Sequence, residues 1–410
     1  MPQANEAGHS WIARLRQHIQ TERYSRSIAK KYPPAARSFI RDLALRGRAL
    51  ESVSPADIEQ YVENLVCTRS RHPLPAAGQR EHRAAIRMLL RLVHNGRWPV
   101  EAGPATADEI AIHEILEAFD RWMTEVRGLA VGTRDHGRFE AHSLLRWMHD
   151  RGVRLASLHV TDLDAYIASR VVSMRRRSKV TMIGTLRGVL RYLHYSGRIT
   201  VDLANSIEAT PIYHLEDIPS TIRQEDIDRM LEAARRDRSP LGRRDWAVLM
   251  LLTTYGLRSG EVVGLRISEI DWRNDRLCIR HTKTGASSVL PLLRGPADAL
   301  LDYLKYARPE TAHREVFLRG QAPYQALTRG ALRHVLDRRL RAIGVSLSGK
   351  RGPHILRHSR AASLLNGGTS IKLIGDILGH RSEQSTAIYL KLAEDDLRAV
   401  ALDLPQELGI

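Results

Sequence analysis

His354-Ile355-Leu356-Arg357-His358, taken with Tyr255-Gly256-Leu257-Arg258-Ser259-Gly260-Glu261, decides how this chain is read. Each stretch carries an arginine beside groups able to orient it. On a helix, His354 and Arg357 are one turn apart and face the same side. In the other stretch Gly256 marks a turn, and the segment from Leu257 to Glu261 begins a helix with Glu261 one turn from Arg258. Working outward, Lys283 lies between the two stretches, and Leu378-Gly379-His380 and Tyr389 follow them. A phenol, two arginines, two histidines and a lysine are what metal-free chemistry on a phosphodiester would need. That chemistry requires an activated nucleophile, positive charge around a phosphorane-like transition state, and a proton for the departing oxygen. Arginine suits the second task, because its planar fork gives two hydrogen bonds to non-bridging oxygens and stays charged.

Taken singly, each position has a plainer explanation. Arg258 and Glu261 read as an intrahelical salt bridge at a surface. Lys283, at the tip of a hairpin, reads as a solvated turn residue. His354 and His358, at i and i+4, could bind zinc, but no glutamate follows His354 as in HExxH and no third ligand is evident. A lone Tyr389 on a helix is more often half-buried core.

Order and spacing change that balance. Lys283 stands eight residues before Pro291, His380 twenty-six after His354, and Tyr389 nine after His380. This arrangement resembles the catalytic set of the tyrosine recombinase (integrase) family, well over the last 190 residues or so and more loosely over the preceding hundred. The resemblance implies Arg258 and Arg357 as phosphate clamps, Glu261 as the acid orienting Arg258, and His354 as a hydrogen-bonding or proton-transfer partner. It implies Lys283 as the donor to the departing 5′ oxygen, His380 as a further member of the set, and Tyr389 as the nucleophile of a 3′-phosphotyrosyl intermediate. Ser287 and Ser288 depart from the pattern, standing where many members carry a basic residue.

The implied activity is site-specific recombination of double-stranded DNA, with a homotetramer assembled on two sites, other recombinases as further partners, and neither metal nor cofactor. The duplicated N-terminal module points to integration, excision or transposition of a mobile element. The rivals are a type IB topoisomerase, which reseals the same strand, and a non-catalytic DNA-binding accessory protein. In this family an apolar tail such as Leu397 to Leu404 packs on a neighbouring subunit; docking on its own domain is the alternative.

The first two hundred residues contain an internal repeat. At a shift of 105, Ala36/Ala141, Ser38/Ser143, Arg41/Arg146, Arg46/Arg151, Gly47/Gly152, Leu50/Leu155, Ser52/Ser157, Asp57/Asp162 and Tyr61/Tyr166 are identical pairs. Arg87 to His94 matches Arg187 to His194 at a shift of 100, so a five-residue difference falls in a loop between. A period this long indicates tandem domains rather than a solenoid. Each copy is helical: Ile112, Ile115, Phe119, Trp122 and Met123 recur at helical spacing, as do Val180, Ile183, Leu186, Leu190 and Leu193. Gly47 and Gly152 read as stop signals, and Asp57 and Asp162 as caps preceding a helix.

The expected fold is mainly α and multidomain. Two tandem small helical domains, SAM-like core-binding domains by the resemblance, span 1–103 and 107–208. A linker at 209–219 precedes a mixed α+β catalytic domain at 220–410. There Thr221 to Gln224 has capping-box spacing, a second helix runs from about Asp245 to Tyr255, and Arg276–His281 and Ser287–Leu292 alternate as a β-hairpin.

The composition suits a polyanionic partner. With 63 Lys and Arg against 46 Asp and Glu, the formal net charge is +17, spread along the whole chain. Arg175, Arg176, Arg177 and Lys179 cluster before the last helix of the second repeat, with Arg187 and Arg191 along it. Arg87 and Arg91 repeat the pattern in the first copy, and all eight are candidate DNA contacts. Two cysteines, Cys67 and Cys278, without a CxxC motif argue against disulfide or structural zinc and point to a reducing cytosol. No apolar run approaches ~18 residues and the N-terminus lacks signal-peptide character, so the expectation is a cytoplasmic, nucleoid-associated protein without membrane contact.

Overall fold

The computed structural model describes residues 2–68, 74–99, 106–208, 211, 220–281, 285–347, 352–379, 386 and 389. The repeat seen in the sequence returns as matching helices. The first copy has α1 (Pro2–Thr21), α2 (Arg26–Leu45), α3 (Pro55–Thr68) and α4 (Ala76–Val93). The second has α5 (Ala107–Glu125), α6 (Val131–Asp150), α7 (Val160–Val171) and α8 (Arg176–Tyr195). At a shift of 105, α2 falls on α6 end to end, and the 3-10 turns Leu50–Ser52 and Leu155–Ser157 coincide. The later start of α4 relative to α3 absorbs the five-residue difference. Gly47 and Gly152 both take left-handed φ, +64° and +68°, which lets the chain leave the helix sharply without a Cβ clash.

Asp57 and Asp162 lie inside the first turn rather than before it. From there each accepts a backbone N–H at the helix start, Ser54 N to Asp57 at 2.8 Å and His159 N to Asp162 at 3.0 Å, as the acidic member of a capping box does. Apolar residues at helical spacing fill each interior. Phe39, Ile58, Ile86 and Leu90 make one core, and Phe119, Leu144, Leu163, Leu186 and Leu190 the other. The described chain divides into two compact units, one of Val100–Glu216 and one combining Met1–Pro99 with Asp217–Ile410.

The C-terminal part adds α9 (Gln224–Arg236), α10 (Pro240–Tyr255), α11 (Ser259–Val263), α12 (Arg294–Tyr306), α13 (Arg329–Ala342), α14 (His354–Asn366) and α15 (Ile371–Leu378). A three-stranded antiparallel sheet, β1 (Ile270–Asp271), β2 (Arg276–Arg280) and β3 (Ser287–Pro291), stands between α11 and α12. Two expectations are corrected. Arg223, not Thr221, is the N-cap residue of α9, and no side chain caps it. Helix α10 begins at Pro240 rather than near Asp245, because Ser239 Oγ accepts from Gly242 N at 3.0 Å and proline fits the first helical position. The two-residue β1 carries too short a pattern to be read from sequence.

Ala247, Val248, Leu249, Leu251 and Leu252 are all buried, so α10 is apolar on most sides and runs through the middle of this core. α9, α12 and α14 pack around it. Fully burying one such leucine contributes roughly 1.5–3 kcal/mol relative to leaving it exposed. A polar network fixes α13 against α10. The carboxylate of Asp245 is fully buried and pairs with Arg339 at 2.9 Å and Arg244 at 3.1 Å, while Arg339 also holds Asp237 at 2.8 Å. Among the described residues no helix is long and apolar enough to cross a membrane.

Candidate active site

Two helix ends build the site. α10 stops at Gly256 and α15 at Gly379, both in the left-handed region with φ of +62° and +64°. A Cβ at Gly256 would lie 2.7 Å from a Leu378 methyl, and one at Gly379 would lie 2.6 Å from Cε1 of His281. Both positions therefore need glycine for conformation and for space. The stops leave backbone carbonyls at the negative ends of two helices, where cations are favoured.

Arg357, on the first turn of α14, uses them. It is 1% exposed, and it donates to Gly256 O at 2.8 Å and to Leu378 O at 2.6 Å. Burial, then the neighbouring Arg258 charge, lowers its pKa to about 10. At neutral pH it remains a cation. Arg258 is the N-cap residue of α11, and its guanidinium reaches Gly379 O at 3.2 Å. Glu261 holds Arg258 twice, accepting its backbone N–H at 2.7 Å and its guanidinium at 2.9 Å. Burial alone would raise the Glu261 carboxyl. Hydrogen bonds from His281 and Arg258 outweigh it and hold the group below the usual carboxylate range.

Tyr389 is 3% exposed and packs with Ala361, Ile374 and Leu378. Its ring meets His358 edge-on at 5.5 Å between centroids, and His358 in turn meets His354 at 4.6 Å. Burial pushes the Tyr389 phenol up, while the charge and hydrogen bond of Arg357 and the charge of Arg258 pull it down. The phenol thus sits on Arg357 and feels the charge of Arg258, and an anion placed among these groups would relieve the repulsion between the two guanidiniums.

The structure brings together Arg258, Glu261, Arg357 and Tyr389, with His354 linked through His358. Lys283, His380 and the tail from Leu397 to Leu404 lie outside the described residues. His354 and His358 pack ring to ring, and no group of three His, Cys, Asp or Glu able to hold a metal occurs among the described residues. Sequence reading passed over His281, whose Nδ1 lies 2.8 Å from Glu261 Oε1. The signal was present, since Leu277 and Ile279 of β2 and His281 just after it alternate as buried positions.

The candidate DNA contacts divide. Arg175, Arg176, Arg177 and Arg191 are exposed, and Lys179 is half-buried. Arg187 is half-buried and donates to Ile207 O at 2.7 Å, which ties α8 to the segment after it. Arg87 is exposed and 3.6 Å from Glu59. With Arg14, Arg80, Arg83 and Arg91 it lines a cavity of about 1030 Å³.

Along nearly its whole length the chain is similar to known proteins. The phage integrase family matches residues 220–395. The y4rF protein of Sinorhizobium fredii, a candidate integrase/recombinase, is 31% identical over 396 residues, covering 96% of this chain and 90% of its own length. Tyrosine recombinase XerD of Proteus mirabilis is 28% identical over 300 residues, 72% of this chain and 92% of XerD. Among solved structures, a lambda integrase tetramer bound to a Holliday junction superposes with a TM-score of 0.54 at 18% identity, over 79% of this chain and 88% of that one. The chain belongs to the phage integrase family of tyrosine recombinases, enzymes of site-specific DNA recombination.

Proposed function

We propose that Tyr389 is the nucleophile of this recombinase and that Arg258 and Arg357 clamp the scissile phosphate. Tyr389 Oη attacks phosphorus, the bond from phosphorus to the 5′ oxygen breaks, and a 3′-phosphotyrosyl link forms. Lys283 delivers the proton to the departing oxygen; His354 and His380 complete the hydrogen-bonding set around the phosphate. The freed 5′ hydroxyl then attacks the matching phosphotyrosine of a partner strand and returns the phenol. The covalent link retains the bond energy, so the cycle needs no ATP. Two guanidiniums donating to one phosphorane-like centre supply the electrostatic stabilisation on which such displacements depend.

The observation that carries this reading is the placement of the Tyr389 phenol on Arg357 and beside His358. We assign both helical repeats to the SAM-like core-binding class, with one domain at 1–103, another at 107–208, and a linker at 209–219 before the catalytic domain at 220–410. Exposed Arg175, Arg176, Arg177 and Arg191, with Lys179, Arg87 and Arg91, bind DNA phosphates. A homotetramer on two sites of a mobile element is the working assembly, with partner recombinases as further components, in the cytoplasm at the nucleoid.

A suicide DNA duplex from the flanks of the element, incubated in EDTA with wild type and Tyr389→Phe, tests the reading. A covalent protein–DNA band that survives denaturant and is absent in Tyr389→Phe is the expected result. Salt-sensitive binding without a band would favour an accessory binder. Relaxation of plasmids lacking the site would favour a topoisomerase.

A further inference from the structure

Resting on the proposed role of Lys283, we infer that His281 is a positioning residue that locks the β2–β3 hairpin onto the Arg258–Glu261 pair. His281 is the first residue after β2 and is 6% exposed. Its backbone N–H donates to Ala286 O and its carbonyl accepts from Gly285 N, both at 2.8 Å, so the two arms of the hairpin are still tied together here. Lys283 follows two residues later in the chain.

The imidazole bridges two elements. Nδ1 lies 2.8 Å from Glu261 Oε1, the oxygen that also accepts from the Arg258 guanidinium, and Nε2 lies 2.7 Å from Ser288 Oγ on β3. An ionised carboxylate only accepts, so Nδ1 carries a proton and donates to Glu261, while Nε2 and the Ser288 hydroxyl share the second hydrogen bond. The backbone of Gly379 rests on the same ring, and its carbonyl accepts from Arg258. One ring therefore contacts the hairpin, the arginine clamp and the glycine stop of α15.

The hairpin is held from inside by His281. A flexible lysine reaches a leaving oxygen effectively only if the base of its loop is fixed, and a displacement of about 1 Å can cost on the order of 100-fold in rate.

The test compares single-turnover cleavage of two suicide duplexes by the full-length protein. One has the ordinary scissile phosphodiester; the other has sulfur in place of the bridging 5′ oxygen, a leaving group that needs no proton. His281→Phe keeps an aromatic ring and removes both hydrogen bonds. It is expected to slow cleavage of the ordinary duplex by roughly 10–100-fold, to recover most of that rate on the sulfur duplex, and to bind DNA within about twofold of wild type. Should His281→Phe fold poorly by thermal melting, Ser288→Ala breaks only the far bond, with a few-fold effect of the same kind expected. Equal slowing on both duplexes, or wild-type rates in a folded variant, would overturn the inference. Lys283→Ala is the reference: if sulfur fails to rescue it, the leaving-group role of Lys283 falls and this inference falls with it. Failure of His281→Phe alone leaves the Lys283 reading intact.

Discussion

The two N-terminal repeats share helices, register and even their glycine stops, yet their polar interiors differ. In the second, Glu140 is 1% exposed and accepts from the Tyr166 hydroxyl at 2.6 Å, with Arg170 3.5 Å away and also bonded to Ser143. At the matching positions of the first repeat stand Ala35, Tyr61, Leu65 and Ser38. The second repeat thus carries a deeply buried carboxylate with its own cation at positions where the first has alanine and leucine. The last helices diverge in the same way: Arg187 is tied to Ile207 O, while Arg87 is exposed beside an arginine-lined cavity. Apolar spacing alone reproduces the four-helix frame. The polar residues placed inside and on it set what each copy does.

Removing the carboxylate should give the largest effect. Glu140→Ala leaves Arg170 and Tyr166 without their acceptor and is expected to destabilise the second repeat by roughly 3 kcal/mol. Hydrogen exchange under denaturant, resolved to α5–α8 peptides, measures it. The reciprocal Ala35→Glu should harm the first repeat about as much, and adding Leu65→Arg should recover part of the loss. No recovery would mean that the two interiors differ by more than this pair.

Arg187→Ala should cost about 1 kcal/mol by the same exchange measurement, because a partly buried carbonyl loses its donor. Arg87→Ala, at a surface, should stay within about 0.5 kcal/mol of wild type. Equal costs would erase the contrast between the two last helices. In DNA binding the order should reverse. Arg87→Ala with Arg91→Ala is expected to lower the salt slope of the affinity by about 2, and Arg187→Ala to leave it unchanged.

The smallest effect concerns pH. Burial, then the Glu140 hydrogen bond, raises the Tyr166 phenol above its ordinary value. A raised group contributes stability that is fully present below its unfolded value, about 10, and lost as pH rises through the folded value. The second repeat should therefore soften in alkali, and Tyr166→Phe should be less stable at neutral pH but flatter above about pH 10. A fall of equal steepness in both proteins would assign the alkaline loss to other tyrosines.

The sequence reached some of this structure and missed the rest for physical reasons. Helices α5 and α8, the repeat and the β2–β3 hairpin were legible because their apolar residues keep strict periods. The start of α10 was not, because its first turn is held by Ser239 and Pro240 while its apolar run begins later. In the candidate site, order and spacing singled out Arg258, Glu261, Arg357 and Tyr389, which the fold brings together. The same Arg187 spacing that suggested a groove contact could not show Ile207 returning to meet it.

By itself the sequence determined the reaction class, since the residue types and their intervals limit what chemistry is possible. It also determined the helical frame, which follows from local periodicity. Tertiary structure alone decided that two helices ending at Gly256 and Gly379 present their carbonyls to Arg357 and Arg258. It alone set His281 between Glu261 and Ser288, and Arg187 on Ile207. Each of these contacts joins residues remote in the chain through backbone atoms or a buried ring. Backbone carbonyls carry no residue identity, so their partners emerge only when packing fixes where each helix stops.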